Sequence, residues 1–161
     1  EVKYYDKRHL FCLGNEGNFV AAGEQREIFA INDFRILPQV CYDLRFPVWS
    51  RNVGENGKTA YDCLIYIANW PAARKSPWSK LLEARAIENQ CYVIGVNRVG
   101  QDGKQIDYSG NSVVINPKGE IVSTVAENEN GTQTQEISLT ELNNFRAKFP
   151  VDMDADGFEI L

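Results

Sequence analysis

The sequence predicts an α/β fold of layered sheet and helices, and three observations carry that reading. Asp62–Ala68 and Cys91–Val96 are continuous apolar runs, the mark of strands buried on both faces. Between them a helical segment opens at Ser76-Pro77 and carries an apolar stripe of Trp78, Leu81, Leu82, Ala86 and Ile87. Strand, helix, strand in that order is the crossover unit of a parallel sheet. Upstream, a third apolar run ends at Val40, and a helix-compatible segment follows at once from Cys41.

In chain order, Val2–Phe11 is mixed apolar and basic, and Gly14–Gly23 is a loop of small residues with one acid, Glu16. Glu27–Ile31 reads as a strand, Asn32-Asp33 as a turn and Phe34–Val40 as the next strand, with Pro38 arguing against a simple central position. Tyr42–Asn52 reads as a short helix made irregular by Pro47, and Gly54–Lys58 as a polar loop. Ser76 is the expected N-cap of the long helix, with Pro77 at its first position. Asp102-Gly103 is a hairpin-type turn. Ser112–Ile115, Ile121–Thr124 and Thr134–Ile137 read as short strands, and Leu139–Phe149 as a helix capped by Ser138. The whole reads as one domain, 1–161, with 150–161 an acidic tail.

Composition narrows the function classes. A 161-residue chain with 43% hydrophobic and 24% charged residues has the make-up of a soluble globular domain. A net charge of −5 argues against nucleic acid or an anionic membrane as partner. No apolar segment is long enough to span a bilayer. Cys12, Cys41, Cys63 and Cys91 form no CxxC pair and no zinc spacing, so they read as reduced thiols of a cytoplasmic protein without a signal peptide.

Cys41 is the candidate nucleophile. A strand delivering a residue to the start of a helix is the nucleophile-elbow pattern. Peptide dipoles there favour a thiolate, and the Tyr42 N–H would face an oxyanion beside the sulfur. The bland alternative is a buried cysteine of no chemical use. Lys7 would stabilise a thiolate or an oxyanion if the fold brings it to Cys41, though it has the character of a surface lysine. Glu16 would orient substrate or water, or be a solvated loop charge. His9, the one histidine, would have to supply any Cys–His dyad. Arg45 has the planar fork that suits a substrate carboxylate; a structural ion pair with Asp43 or Glu88 competes with that role. Asp152–Gly157 copies the first half of a calcium loop, but its bidentate glutamate would fall beyond Leu161, so no metal is expected.

Four segments together resemble a known family. They are Tyr5-Asp6-Lys7-Arg8-His9-Leu10-Phe11, Val40-Cys41-Tyr42-Asp43-Leu44-Arg45-Phe46-Pro47, Ala68-Asn69-Trp70-Pro71 and Arg85-Ala86-Ile87-Glu88-Asn89-Gln90. Their wording and order are similar to the nitrilase superfamily of carbon–nitrogen hydrolases, and closest to its ω-amidase branch. The resemblance implies an α-β-β-α sandwich, a Glu–Lys–Cys triad and no cofactor. It puts the nucleophile on Cys41, the lysine on Lys7 and a second, loop-borne glutamate on Glu16. It puts the oxyanion N–H on Tyr42, a substrate-carboxylate contact on Arg45, and pocket lining on Asn69 and Trp70.

The family's general-base glutamate lies before any residue present here, so the resemblance reads as reaching only the C-terminal portion of the family domain. On that reading the N-terminal part is missing, and the chain alone is inactive and prone to associate. The implied substrate is a small-molecule amide, a dicarboxylic or 2-oxo acid monoamide that releases ammonia through a Cys thioester. Nitrile and carbamoyl substrates stay open. A homodimer is implied as well. The competing reading is an inactive fragment or interaction module in which Cys41 is a relic.

Overall fold

The computed structural model describes residues 3–54 and 58–158. Among these residues, eight strands form a six-stranded sheet and a separate two-stranded ribbon. In chain order the strands are β1 (Phe29–Ile31), β2 (Phe34–Val40), β3 (Cys63–Ala68), β4 (Tyr92–Asn97), β5 (Val99–Gln101), β6 (Asp107–Ser109), β7 (Val113–Ile115) and β8 (Ile121–Thr124). The sheet runs β1-β2-β3-β4-β7-β8, and β5 pairs with β6 in the ribbon. Strands β2, β3 and β4 are mutually parallel, while β1, β7 and β8 add antiparallel flanks. Three helices accompany them: α1 (Pro47–Ser50), α2 (Lys75–Asn89) and α3 (Leu139–Lys148).

The period-2 alternation of the central strands sorts their side chains onto two faces. Leu37, Leu64, Tyr66 and Val93 point to one face and meet Trp78, Leu82 and Ala86 of α2. Cys63 and Tyr92 point to the other and meet Leu142 of α3, with Ile36, Ile65 and Ile94 packed around them. Burying a leucine such as Leu82 on this scale is worth roughly 2–5 kcal/mol against alanine. Close approach of α2 depends on Gly95, where an added Cβ would lie 2.5 Å from a Leu82 methyl. The mixed α/β layering is as expected. Among the described residues there is one extended sheet, so the second sheet of the implied four-layer sandwich is not part of what is described.

Several boundaries differ from expectation for local reasons. The segment read as one helix over Tyr42–Asn52 is a 3-10 turn over Cys41–Arg45 followed by α1. Phe46 breaks it with φ −116°, because a residue before proline is kept out of the helical region. Helix α2 begins at Lys75 behind a 3-10 turn over Ala72–Arg74, so Ser76 is not its N-cap. Pro77 is tolerated in the first turn, where its N–H would have no partner. Ile87 faces solvent and does not complete the stripe. Pro38 sits inside β2 beyond the part that pairs with β1, so its missing N–H breaks no bond on that side. Thr134–Ile137 forms no strand; Thr134–Glu136 is exposed, and Ile137 packs against the α3 cluster. The Ser138 cap of α3 holds, its hydroxyl accepting from Glu141 N at 3.2 Å. Part of the Gly54–Lys58 loop, residues 55–57, lies outside the described residues, as do 159–161 of the tail.

One buried ion cluster ties the ends of this fold together. Asp62, at the entrance to β3, accepts from Arg35 Nη2 at 2.7 Å and from Arg146 Nη1 of α3 at 2.8 Å. Burial alone would push its carboxyl up, but the two guanidinium groups outweigh it and hold the group below the usual carboxylate range. A group depressed in the folded state stabilises the fold above its unfolded pKa, and that stability drains away as pH falls through the folded value. Asp62→Asn should therefore lower unfolding free energy at pH 7 by roughly 3 kcal/mol. The gap to the parent should close as pH drops below about 4 in urea titrations. A gap independent of pH would show that the charge is not what matters.

Candidate active site

The three parallel strands end at one edge of the sheet, and the loops that follow them converge there. Open parallel sheets place ligands at this edge, beyond the carboxyl ends of their strands. A cleft of about 1180 Å³ opens there, with Lys7, Glu16, Cys41, Arg45, Trp70 and Arg74 among its lining. Cys41 follows β2 directly, and Asn69 and Trp70 follow β3. Asn97, the last residue of β4, fixes that second loop. Its Oδ1 accepts from Trp70 N at 2.8 Å, and its Nδ2 donates to Trp70 O at 3.0 Å.

Cys41 has φ +47°, in the left-handed region. For a residue with a Cβ this costs on the order of 1–3 kcal/mol and persists only where the surroundings enforce it. The strain belongs to the elbow: an extended strand turns at once into the 3-10 helix, and the thiol is left at the rim. Sγ lies 3.8 Å from the Asn69 carbonyl oxygen. The first turn of a helix leaves N–H groups without intrahelical partners, Tyr42 N–H among them.

Lys7 comes from a segment without regular structure and reaches the same cleft. Its Nζ donates to Glu16 Oε2 at 2.5 Å, and Phe11 N donates to the same oxygen at 2.8 Å. Burial pushes the Glu16 carboxyl up, but these two donors prevail and hold it below its ordinary value. Backbone contacts place the Lys7 segment. Gly23 N donates to Lys7 O at 2.8 Å, and a Cβ on Gly23 would sit 2.1 Å from Asp6 O, so only glycine fits.

The thiol itself departs from expectation. Burial pushes the Cys41 thiol up, and the Lys7 ammonium only partly offsets it, while Glu16 and Asp43 oppose ionisation. The reason is chiefly desolvation: a thiolate at this depth loses hydration that one ammonium, itself paired with Glu16, does not restore. Cys41 therefore rests as a thiol, and a base would be needed to form its thiolate.

His9 does not form a dyad with Cys41. Its Nδ1 lies 2.9 Å from Asp43 Oδ1, and its ring stacks on Phe46 with centroids 3.7 Å apart. Arg45 forms neither of the competing ion pairs. Asp43 is taken up by Tyr5, His9 and Val40, and Glu88 pairs with Arg85. The Arg45 guanidinium instead lies over the Trp70 ring, 5.1 Å from its centroid, with its fork open to the cleft. Trp70 is itself buried, its indole donating to Arg74 O at 2.7 Å.

Sequence reasoning missed Arg74, whose guanidinium lies 5.6 Å from the Phe11 ring centroid, and the β5–β6 ribbon, which brings Asp102, Lys104 and Tyr108 to the mouth. The Asp102-Gly103 turn signal was the available clue to the ribbon. Nothing in the sequence marks Arg74. Among the described residues no three His, Cys, Asp or Glu side chains cluster to hold a metal ion, and no helix is long and apolar enough to cross a membrane.

Known proteins share this arrangement of elements. An omega-amidase of Escherichia coli, YafV, is 50% identical over 159 residues, which is 99% of this chain and 60% of that protein. A 2-oxoglutaramate amidase of Bacillus subtilis is 35% identical over 150 residues, 93% of this chain and 56% of its own length. A CN-hydrolase superfamily protein of Xanthomonas campestris, solved with an arsenic adduct in its active site, matches with a TM-score of 0.95 and 46% identity. The match covers 99% of this chain and 61% of that one. The chain thus spans about three-fifths of the length of these relatives. The matches do not place it at one end of the family domain. They lend no support to an inert fragment or to a relic Cys41. A family model described as carbon-nitrogen hydrolase matches residues 1–147, and the chain belongs to that family.

Proposed function

We propose that the protein carrying this chain hydrolyses the terminal amide of a small dicarboxylic acid monoamide, of the 2-oxo acid class, and releases ammonia. The observation that carries the reading is one cleft holding three things: a strained cysteine at a strand end, a lysine ammonium, and an arginine that pairs with no carboxylate among the described residues. The names of the E. coli and B. subtilis relatives support the substrate class.

In this reading Arg45 takes the substrate carboxylate through its planar fork, backed by Trp70. Asn69 and Trp70 line the pocket and set the distance from that carboxylate to the amide carbon. Cys41 loses its proton and attacks that carbon. The Lys7 ammonium and the Tyr42 N–H hold the oxyanion. Ammonia leaves with the returned proton, a thioester forms on Cys41, and water cleaves it to the free acid.

Glu16 is a poor proton acceptor, because Lys7 and the Phe11 N–H already stabilise its anion. Its part is to hold Lys7. In the Glu–Lys–Cys triad that the resemblance implies, a glutamate other than Glu16 takes the Cys41 proton. No cofactor enters these steps. Four free cysteines suit a reducing compartment, the cytoplasm, and the reading includes a homodimer.

The direct measurement is ammonia release from a panel of ω-amides, nitriles and carbamoyl compounds, using the protein at its relatives' full length. Oxo-acid ω-amides should lead. Cys41→Ala should abolish turnover, and retained ammonia release would reject the assignment. Arg45→Met should raise KM for carboxylate-bearing amides roughly 10–100-fold, the scale of a lost charge-assisted hydrogen bond, with little change for a neutral amide. Equal effects on both would remove Arg45 from the carboxylate site.

The thiol supplies a second check that needs no substrate. Alkylation of Cys41 by iodoacetamide should have its pH midpoint above the ordinary thiol range. Lys7→Ala should move the midpoint further up, since it removes the cation that favours the thiolate. Glu16→Gln should move it down, since it removes an opposing anion and frees the ammonium. Shifts of opposite sign would refute this electrostatic account.

A further inference from the structure

The Lys7 segment has no strand or helix to fix it, yet its side chain must meet Cys41 within hydrogen-bond tolerance. One carboxylate stands at the junction. Asp43, two residues after Cys41, is fully buried. Its Oδ2 accepts from Val40 N at 3.1 Å and from the Tyr5 hydroxyl at 2.8 Å. Its Oδ1 accepts from His9 N and engages His9 Nδ1, both at 2.9 Å. The residues two before and two after Lys7 are therefore tied to one group, and that group is also tied to the residue before the nucleophile.

The anchor points are themselves braced. Tyr5 Oη accepts from Trp49 Nε1 of α1 at 2.9 Å, and the His9 ring is stacked on Phe46. Burial first, and Asp43 beside it, push the Tyr5 phenol up, so it stays a donor at every physiological pH. On the far side Gly23 N donates to the Lys7 carbonyl oxygen.

We propose that Asp43 is a positioning residue: it clamps Tyr5 and His9 on either side of Lys7 and so fixes the ammonium against Cys41. This rests on the reading that Lys7 and Cys41 act together. The role is distinct from catalysis, since the Asp43 carboxylate is fully engaged and closed off from the cleft. It also accounts for the spacing Tyr5-x-Lys7-x-His9. The outer two reach one carboxylate, His9 through its backbone N–H as well as its ring, and Lys7 between them reaches the cleft.

The test reads the pH midpoint of Cys41 alkylation, followed by mass spectrometry of its peptide. Lys7, Glu16 and Asp43 are the charged groups that face the sulfur. Replacing Asp43 would change its own field at the sulfur, so the variants are Tyr5→Phe, which loses one hydroxyl, and His9→Phe, which keeps the stack on Phe46. Each should raise the midpoint, on the order of half a pH unit, by letting the ammonium drift away. In a Lys7→Ala background neither should change it, because the effect passes through Lys7.

An unchanged midpoint in the parent background, or an equal shift in both backgrounds, overturns the clamp. Loss of the folded circular dichroism signal in both variants also overturns it, since the network would then hold the fold and not the lysine. If Lys7→Ala itself leaves the midpoint unmoved, it is the pairing of Lys7 with Cys41 that fails.

Discussion

The parallel register of β2, β3 and β4 is the constraint on which the rest of the molecule depends. Val40 stands opposite Ile67, and Ala68 opposite Asn97, so the three strands finish level with one another. Each then turns away from the sheet at the same height. Cys41, the Asn69–Trp70 loop and the Asn97 side chain are neighbours for that reason alone. A slip of one residue in any pairing would turn Leu37, Leu64 or Val93 away from α2 and move the sulfur off the edge together. Fold stability and site geometry are thus secured by the same ladders.

Charge in the cleft is arranged as shared custody. One ammonium, that of Lys7, bonds Glu16 at 2.5 Å and also favours the Cys41 thiolate, while burial of the sulfur outweighs it. The result is a lysine locked in place and a cysteine kept protonated until something takes its proton. Cys63 and Cys91 stay inert by a simpler route: burial pushes the Cys63 thiol up to about 12 and raises Cys91 in the same direction.

Much of this was legible in the residues. Continuous apolar runs marked β3 and β4 to within a residue, because strands covered on both faces leave no polar alternation to misread. Cys41, Lys7, Arg45, Asn69 and Trp70 line one cleft, a grouping that spacing alone did not show and that the family resemblance implied. The failures have identifiable causes. Thr134–Ile137 has strand propensity, but the sheet ends at β8, and propensity cannot create a partner. The helix over Tyr42–Asn52 broke where Pro47 restricts its predecessor, a rule available from sequence but underweighted. The raised thiol was out of reach, because it depends first on how deeply the sulfur is buried and then on Glu16 pairing with Lys7, neither of which spacing reveals. Arg74 enters only through the tertiary fold.

The β5–β6 ribbon stands apart from the main sheet. Asn97 anchors it by donating to Gly110 O at 2.9 Å, and Asp102 closes its turn by accepting from Lys104 N and Ile106 N. It contributes to the cleft mouth while sharing no strand pairing with the sheet that carries the sulfur. Such a division is modular. Substitutions or insertions in the ribbon can reshape the mouth of the cleft while the ladders that hold Cys41 at the sheet edge stay intact.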